Sequence, residues 1–210
     1  MMEESHKRVQ WVYASTSNKE LEERYDQWAK GYDKDLAEEF AWNAPQTATA
    51  VFAKHMDKSA KILDAGAGTG LVGECLVEAG YRNLVAMDLS LGMLEEAKRK
   101  NLYTEYHQMV LGSPLAFATD EFDAIISVGV FTQGHAPASS FNELVRITKP
   151  GGLIVFSLRV ETYENKGFKE HQSALESAGK WELAEVTETF QPMPKGEPDV
   201  WHQIWAYRVK

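Results

Sequence analysis

After Met56, short apolar runs of strand length alternate with segments of helical periodicity, and this alternation constrains the fold more than any other feature of the sequence. The clearest run, 122–128, is dominated by apolar and β-branched residues, which is typical of a strand buried on both faces. Strands that alternate with helices form a parallel sheet between two helical layers. The sequence therefore predicts an α/β fold with this strand at the centre of the sheet.

The two ends of the chain depart from this alternation. Over residues 19–56, aromatic and leucine side chains recur at spacings of three and four, which predicts two or three short helices. Near the other end, predicted strands around 183–190 and 200–209 are joined by a short proline-rich segment, which favours a hairpin over a helical crossover. We expect a helical cap over residues 1–56 that contributes to a substrate site, followed by a sheet domain over residues 57–210.

Composition argues against several classes of protein. The 210 residues include 22 Lys plus Arg and 31 Asp plus Glu, and the resulting net charge of −9 disfavours a nucleic-acid partner. The single cysteine, Cys75, cannot form an internal disulfide, and no stretch approaches the roughly 20 apolar residues that cross a bilayer. The first residues also lack the apolar core of a secretory signal. We therefore expect a cytoplasmic monomer or homodimer without a membrane partner.

The most informative segment is the glycine turn 64–70, between the first predicted strand and a helix. Glycines at alternate positions remove side chains where a ligand must approach the main chain, and the helix that follows offers unpaired N–H groups. Asp88, at the end of the second predicted strand, could accept hydrogen bonds from both hydroxyls of a ribose. The pattern indicates a nucleoside cofactor at the carboxyl edge of the sheet.

Two classes of nucleoside cofactor fit this loop. Residues 68–73 match the dinucleotide fingerprint, and Asp88 follows Gly68 by 20 residues, so an NAD(P)-dependent reductase is one alternative. However, it is Gly66 that directly follows the strand, and Asp64 is expected to aim a carboxylate at the cavity. A pyrophosphate would face that anion, whereas the ammonium and sulfonium of S-adenosylmethionine would be attracted to it. The charge argument favours the methyl donor.

Four motifs in sequence order resemble those of the class I S-adenosylmethionine-dependent methyltransferases. With the aromatic segment 25–33, the resemblance is greatest to the methyltransferase-like group of the Williams-Beuren syndrome region. It implies a Rossmann-like three-layer sandwich whose seven-stranded, mostly parallel sheet has the order 3-2-1-4-5-7-6 with strand 7 antiparallel. The motifs are the glycine motif 62–70, the acidic motif 85–90, the fourth-strand motif 122–127 and the turn 149–152.

The same resemblance implies a set of donor contacts, with S-adenosylhomocysteine as the product. Asp64 would orient the methionine portion, Tyr25 and Tyr32 would reach over its carboxylate, and Asp88 would hold the ribose. Many relatives have an acidic residue at the position of Leu111, so adenine recognition is expected to rest on apolar and backbone contacts. The full predicted set is Tyr25, Tyr32, Asp64, Gly66, Ala67, Gly68, Gly70, Asp88, Leu89, Met93, Leu111, Gly112, Ser127 and Val128.

Methyl transfer from a sulfonium is an in-line displacement with an activated leaving group, so orientation of the two reactants can supply much of the acceleration. His135, in the loop that leaves strand four, is the candidate general base for a hydroxyl or amine acceptor. The histidines and Cys75 show no metal-ligand spacing, so we expect no metal.

We expect the acceptor to be a small molecule, because the chain is acidic and compact. A protein acceptor is the alternative within the class, and a donor-binding protein without turnover is a further one. The pocket for the acceptor should lie between the N-terminal helices and the loops after strands four and five. Its predicted walls are Trp42, Phe131, Gln133, Arg159 and Tyr163.

Overall fold

A computed structural model describes residues 2–132 and 135–210 of the chain. Its strands form one sheet in the order β3-β2-β1-β4-β5-β7-β6, in which β1 to β5 pair in parallel and β7 runs antiparallel to both of its neighbours. This confirms the predicted α/β class, the strand order and the central position of β4. The strands are β1 Ile62–Ala65, β2 Leu84–Asp88, β3 Glu105–Gln108, β4 Phe122–Phe131, β5 Thr148–Arg159, β6 Trp181–Val186 and β7 His202–Val209.

Helices precede the sheet and connect its parallel strands. Their starts follow local chemistry: the Ser17 hydroxyl caps α2, Pro45 lies in the first turn of α3, and the Ser90 hydroxyl caps α5. A π-helical turn, Leu36–Phe40, separates α2 from α3. The helices are α1 Met2–Tyr13, α2 Asn18–Asp35, α3 Ala44–His55, α4 Leu71–Glu78, α5 Leu91–Lys100, α6 Ser140–Ile147, α7 Val160–Asn165 and α8 Phe168–Ser177.

Two apolar layers enclose the sheet. On one face, α3, α4 and α5 bury Phe52, Leu76 and Leu94 against it. On the other face, α6 and α8 pack around Phe141 and Phe168. Because successive side chains of a strand point to opposite faces, each central strand contributes to both layers. The three-layer arrangement leaves the carboxyl ends of the parallel strands open for a site.

Helices α1 and α2 pack together in a third apolar cluster, with Val12, Leu21 and Trp28 among its buried members. Acidic side chains of α2, among them Asp26 and Asp33, tie this helix to the sheet domain. Asp26 Oδ1 accepts the Gly92 N–H at 2.8 Å, and Asp33 contacts the Thr69 hydroxyl as well as Lys100 Nζ. The N-terminal part of the predicted cap is therefore fastened to the sheet domain at several points, while α3 belongs to a helical layer of the sheet. That residues 1–56 form one functional unit stays a prediction.

Among the described residues, no helix has the length and apolar character needed to span a bilayer. In the same part of the chain, no three His, Cys, Asp or Glu side chains are grouped as a metal site would require. The cytoplasmic location and the oligomeric state stay predictions.

Candidate active site

A cavity of about 840 Å³, including the space at its open mouth, lies where β1, β2 and β4 end. No lysine or arginine is part of its wall within the described ranges. The wall consists of Asn18, Leu21, Tyr25, Tyr32, Trp42, Gly66, Ala67, Gly68, Thr69, Leu71, Val72, Met87, Asp88, Leu89, Met93, Met109, Val110, Leu111, Val128, Gly129, Val130, His135 and Ala136.

The glycine turn forms one side of this cavity. The Gly66 N–H donates to the Met87 carbonyl at 2.7 Å, which folds the turn back over β2. Gly66 has φ +86°, and a Cβ there would lie 2.2 Å from Val130 Cγ2, so no other residue fits. Gly68, with φ +54°, would place a Cβ in open space. The turn thus brings main chain, without side chains, to the surface of the cavity.

Asp88 ends β2 beside the turn and is 7% exposed. One carboxylate oxygen accepts the Gly68 N–H at 2.8 Å and the other accepts the Ser90 N–H at 2.9 Å. Burial nevertheless raises the pKa of this carboxyl to about 6. Each carboxylate oxygen has a second lone pair, so the group can still accept hydrogen bonds from a ligand in the cavity.

Asp64 does not aim its carboxylate into the cavity as the sequence analysis expected. Its side chain is fully buried, and Oδ2 accepts a hydrogen bond from the Tyr103 hydroxyl at 2.6 Å. Tyr103 lies so close to α4 that a Cβ on Gly73 would come within 2.3 Å of its hydroxyl. The reason is strand alternation: Asp64 shares the face of Ile62, which packs towards α4 and α5. Burial raises the pKa of Asp64 to about 7.

Most of the other predicted donor contacts lie in the cavity wall, and three lie outside it. Gly70 precedes α4 and packs against Tyr103. Gly112 lies beneath Pro137, whose ring carbons would be 2.9 Å from an added Cβ. The Ser127 hydroxyl is buried and donates to the Ala65 carbonyl. The predicted donor positions that do line the cavity are Tyr25, Tyr32, Gly66, Ala67, Gly68, Asp88, Leu89, Met93, Leu111 and Val128.

Of the residues predicted to line the acceptor pocket, fewer lie in the cavity wall than of the predicted donor contacts. Trp42 lines the cavity and covers Gly129, whose added Cβ would lie 3.2 Å from the indole Cζ2. Phe131 is instead a core residue packed among the aromatic rings of α6 and α8, and Tyr163 packs on Trp205 with ring centroids 4.9 Å apart. Arg159 ends β5 and lies outside the cavity wall, and Gln133 lies outside the described residues.

The candidate base, His135, lies in the cavity wall and touches the cap. The Tyr25 hydroxyl is 2.8 Å from His135 Nε2, and Tyr13 packs edge-on against the imidazole with ring centroids 5.6 Å apart. Tyr32, also in the wall, is the ring neighbour of Tyr25. Burial raises the pKa values of Tyr25 and Tyr32 well above the ordinary range and that of Tyr13 to about 12. All three phenols are therefore protonated at neutral pH.

The profile of the methyltransferase domain family matches residues 63–156. Methyltransferase-like protein 27 of Homo sapiens is 38% identical over 166 residues, which are 75% of this chain and 66% of that protein. The chain belongs to the class I S-adenosylmethionine-dependent methyltransferases.

A further methyltransferase matches a shorter part of the chain. Demethylmenaquinone methyltransferase of Renibacterium salmoninarum is 39% identical over 98 residues, 45% of this chain and 39% of that protein. The chain thus spans 66% and 39% of the lengths of these two relatives.

Two solved structures show the same fold at low sequence identity. The cyclase SpnF superposes with a TM-score of 0.72 at 14% identity, covering 93% of this chain and 97% of that one. A TehB-like methyltransferase of Corynebacterium glutamicum superposes with a TM-score of 0.63 at 19% identity, covering 89% and 98%. These likenesses establish the architecture of the methyltransferase fold and nothing about the acceptor.

Several wall residues of this methyltransferase were not found by sequence reasoning. Met109 and Val110 follow β3, and Gly129 and Val130 lie near the end of β4, so their position at strand ends could have indicated them. Asn18, at the start of α2, had no such signal, because its place in the wall depends on how the cap folds over the sheet.

Proposed function

We propose that this methyltransferase binds S-adenosylmethionine in the cavity and transfers its methyl group to a small-molecule acceptor. The observation that carries the proposal is the charge of the site. Asp88 lies in the wall and Asp64 lies behind it, while the described wall contains no lysine or arginine. The sulfonium and ammonium of the donor would offset the cost of ionising two buried carboxylates, whereas the pyrophosphate of a dinucleotide would increase it.

The wall offers a place for each part of the donor. The ribose hydroxyls would donate to Asp88, and the adenine would lie between the apolar side chains of Met93 and Leu111. The methionine portion would lie on the glycine turn beneath Tyr25 and Tyr32. In this arrangement the methyl group is directed along the cavity towards Trp42 and His135, which border the part left for the acceptor.

The cap supports a small acceptor over a folded protein. Helix α2 contributes Leu21, Tyr25 and Tyr32 to the wall and is fastened to the sheet domain through Asp26 and Asp33. A folded protein would have to insert a side chain past helix α2 to reach the donor, whereas a metabolite can be enclosed in the cavity together with the donor. Enclosure also holds the two reactants in line, which is the main source of acceleration that this reaction needs.

A donor with a deuterated methyl group tests this proposal when it is incubated with the protein and extracted metabolite pools. We expect at least one small metabolite to gain the mass of the labelled methyl group, and excess S-adenosylhomocysteine should suppress that gain. Label found only in polypeptide would show that the acceptor is a protein. Absence of label from both fractions would contradict catalysis.

A further inference from the structure

Two side chains that would serve different partners in the proposed reaction are joined to each other. Tyr25 stands at a position expected to contact the donor, and His135 is the candidate base for the acceptor. The structure places the Tyr25 hydroxyl 2.8 Å from His135 Nε2, and both side chains border the cavity. The hydrogen bond spans 110 positions of sequence, so it links the cap to the loop after β4.

The chemistry of the two groups favours one direction of this hydrogen bond. In the described part of the chain, His135 Nε2 is the one hydrogen-bonding partner of the Tyr25 hydroxyl. A half-buried phenol O–H that makes no hydrogen bond is costly, which favours donation from Tyr25 to Nε2. With Tyr25 as the donor, Nε2 is the ring nitrogen with the lone pair and the neutral imidazole carries its proton on Nδ1.

Other contacts hold the imidazole of His135 in position for this hydrogen bond. Tyr13 of α1 packs edge-on against the imidazole, and the backbone N–H of His135 donates to the Thr132 carbonyl at 3.3 Å. Tyr25 is itself packed against Trp28 and Tyr32 within α2. Neither ring can turn without disturbing its neighbours, so the hydrogen bond has a defined geometry.

We propose that Tyr25 and His135 form a proton relay in which the Tyr25 hydroxyl is the catalytic group that meets the acceptor and His135 is the base behind it. The proposal rests on the proposed methyl transfer. Its basis is the 2.8 Å contact between the Tyr25 hydroxyl and His135 Nε2, which, with Tyr25 as the donor, occupies the one lone pair of the imidazole. An acceptor proton can therefore reach Nε2 without breaking this bond only through the tyrosine oxygen.

The proton relay and the methyl transfer together conserve atoms and charge. As the acceptor atom attacks the methyl carbon, its bond to hydrogen breaks and the Tyr25 oxygen takes that proton. Tyr25 passes its own proton to His135 Nε2, which becomes imidazolium. The carbon–sulfur bond of the donor breaks with its electron pair on sulfur, which leaves neutral S-adenosylhomocysteine. The positive charge of the sulfonium ends on the imidazolium.

Nuclear magnetic resonance of protein labelled with ¹⁵N in histidine tests the tautomer directly. Signals of His135 are assigned by their loss in the His135→Gln variant, at a pH of about 8, above the ordinary histidine pKa of about 6.5. We expect the shift of an unprotonated nitrogen for Nε2 and of a protonated one for Nδ1. The Tyr25→Phe variant should move both shifts towards the opposite tautomer. A protonated Nε2 in the unaltered protein would overturn the relay even without the variant.

Tyr32→Phe is the matched control, because it makes the same change on the same helix and in the same cavity wall. It should leave the His135 shifts unchanged. In the assay with deuterated donor, Tyr25→Phe should lower the rate of product formation by about 100-fold, the low end of general acid–base contributions. Its affinity for S-adenosylhomocysteine should change less than about threefold, well under 1.4 kcal/mol.

The outcomes separate this relay from the proposed function. An equal loss of rate and donor affinity in Tyr25→Phe would make the Tyr25 hydroxyl, and not only its ring, a donor contact and would overturn the relay, as would unchanged His135 shifts. Failure of the unaltered protein to bind S-adenosylhomocysteine would instead contradict the proposed function and, with it, the relay. Donor binding with a protonated Nε2 would leave methyl transfer in place and exclude this route for the proton.

Discussion

Replacement of Asp88 by alanine is expected to weaken binding of S-adenosylhomocysteine by about 10- to 100-fold. The proposed ribose contacts are hydrogen bonds to a buried charged group, and such bonds are worth about 1.5 to 3 kcal/mol. The loss should be larger than for any other single wall residue, because Asp88 is the one acidic side chain in the described wall. Isothermal calorimetry measures the effect directly.

Asp88 also organises its surroundings, so the variant needs a structural control. The carboxylate accepts the N–H groups of Gly68 and Ser90, and its removal loosens the glycine turn as well as the ribose site. Asp88→Asn keeps an acceptor oxygen and should lose less affinity than Asp88→Ala. Asp57→Ala, at an exposed aspartate remote from the cavity wall, should bind normally. Normal affinity in a folded Asp88→Ala protein would remove Asp88 from the donor site.

Asp64→Asn is expected to gain stability relative to the unaltered protein as the pH rises. Burial raises the folded-state pKa of Asp64 to about 7 from its ordinary value of 3.8. The folded protein then binds more protons than the unfolded chain between these values, so the free energy of unfolding falls as pH rises through that window. An asparagine does not ionise. From about pH 4 to pH 8, the free energy of unfolding of the variant should rise relative to that of the unaltered protein by up to about 4 kcal/mol, since one pKa unit corresponds to about 1.36 kcal/mol.

Asp123→Asn provides a control of opposite sign. Its carboxylate pairs with Lys149 and accepts the Lys61 N–H, which hold its pKa below the ordinary value. That variant should lose stability at neutral pH and approach the unaltered protein as the pH falls below the ordinary aspartate range. Denaturant unfolding over a pH series measures both variants. If the free energy of unfolding depends on pH in the same way for Asp64→Asn and the unaltered protein, burial does not raise the pKa of Asp64.

The alternation of strands with helices and the place of the glycine turn could be predicted from the sequence because both rest on local signals. Apolar runs, glycine at alternate positions and an acid at the end of β2 are visible within a few residues of one another. The antiparallel pairing of β6 and β7 was expected from the proline-rich segment between them, although the connection, residues 187–201, is longer than the predicted strand bounds implied. The complete strand order came from family resemblance, since crossover connections leave no mark in the spacing.

The contacts that involve distant parts of the chain could not be predicted in this way. Asp64 was expected to face the ligand, but its direction depends on which face of β1 it occupies and on Tyr103, which lies 39 residues away. Phe131 was expected in the acceptor wall as part of the loop after strand four, yet it is the last residue of β4 and its side chain packs in the aromatic core. The hydrogen bond between Tyr25 and His135 likewise depends on the folding of the cap over the sheet.

A crystal structure of the protein with S-adenosylhomocysteine tests the central claim most directly. We expect the ligand to lie on the backbone of the glycine turn. Both ribose hydroxyls should bond to Asp88, and the homocysteine sulfur should face the space beside Trp42 and His135. A ligand bound at another place, or a cavity that accepts NADH and excludes S-adenosylhomocysteine in the same soak, would contradict it.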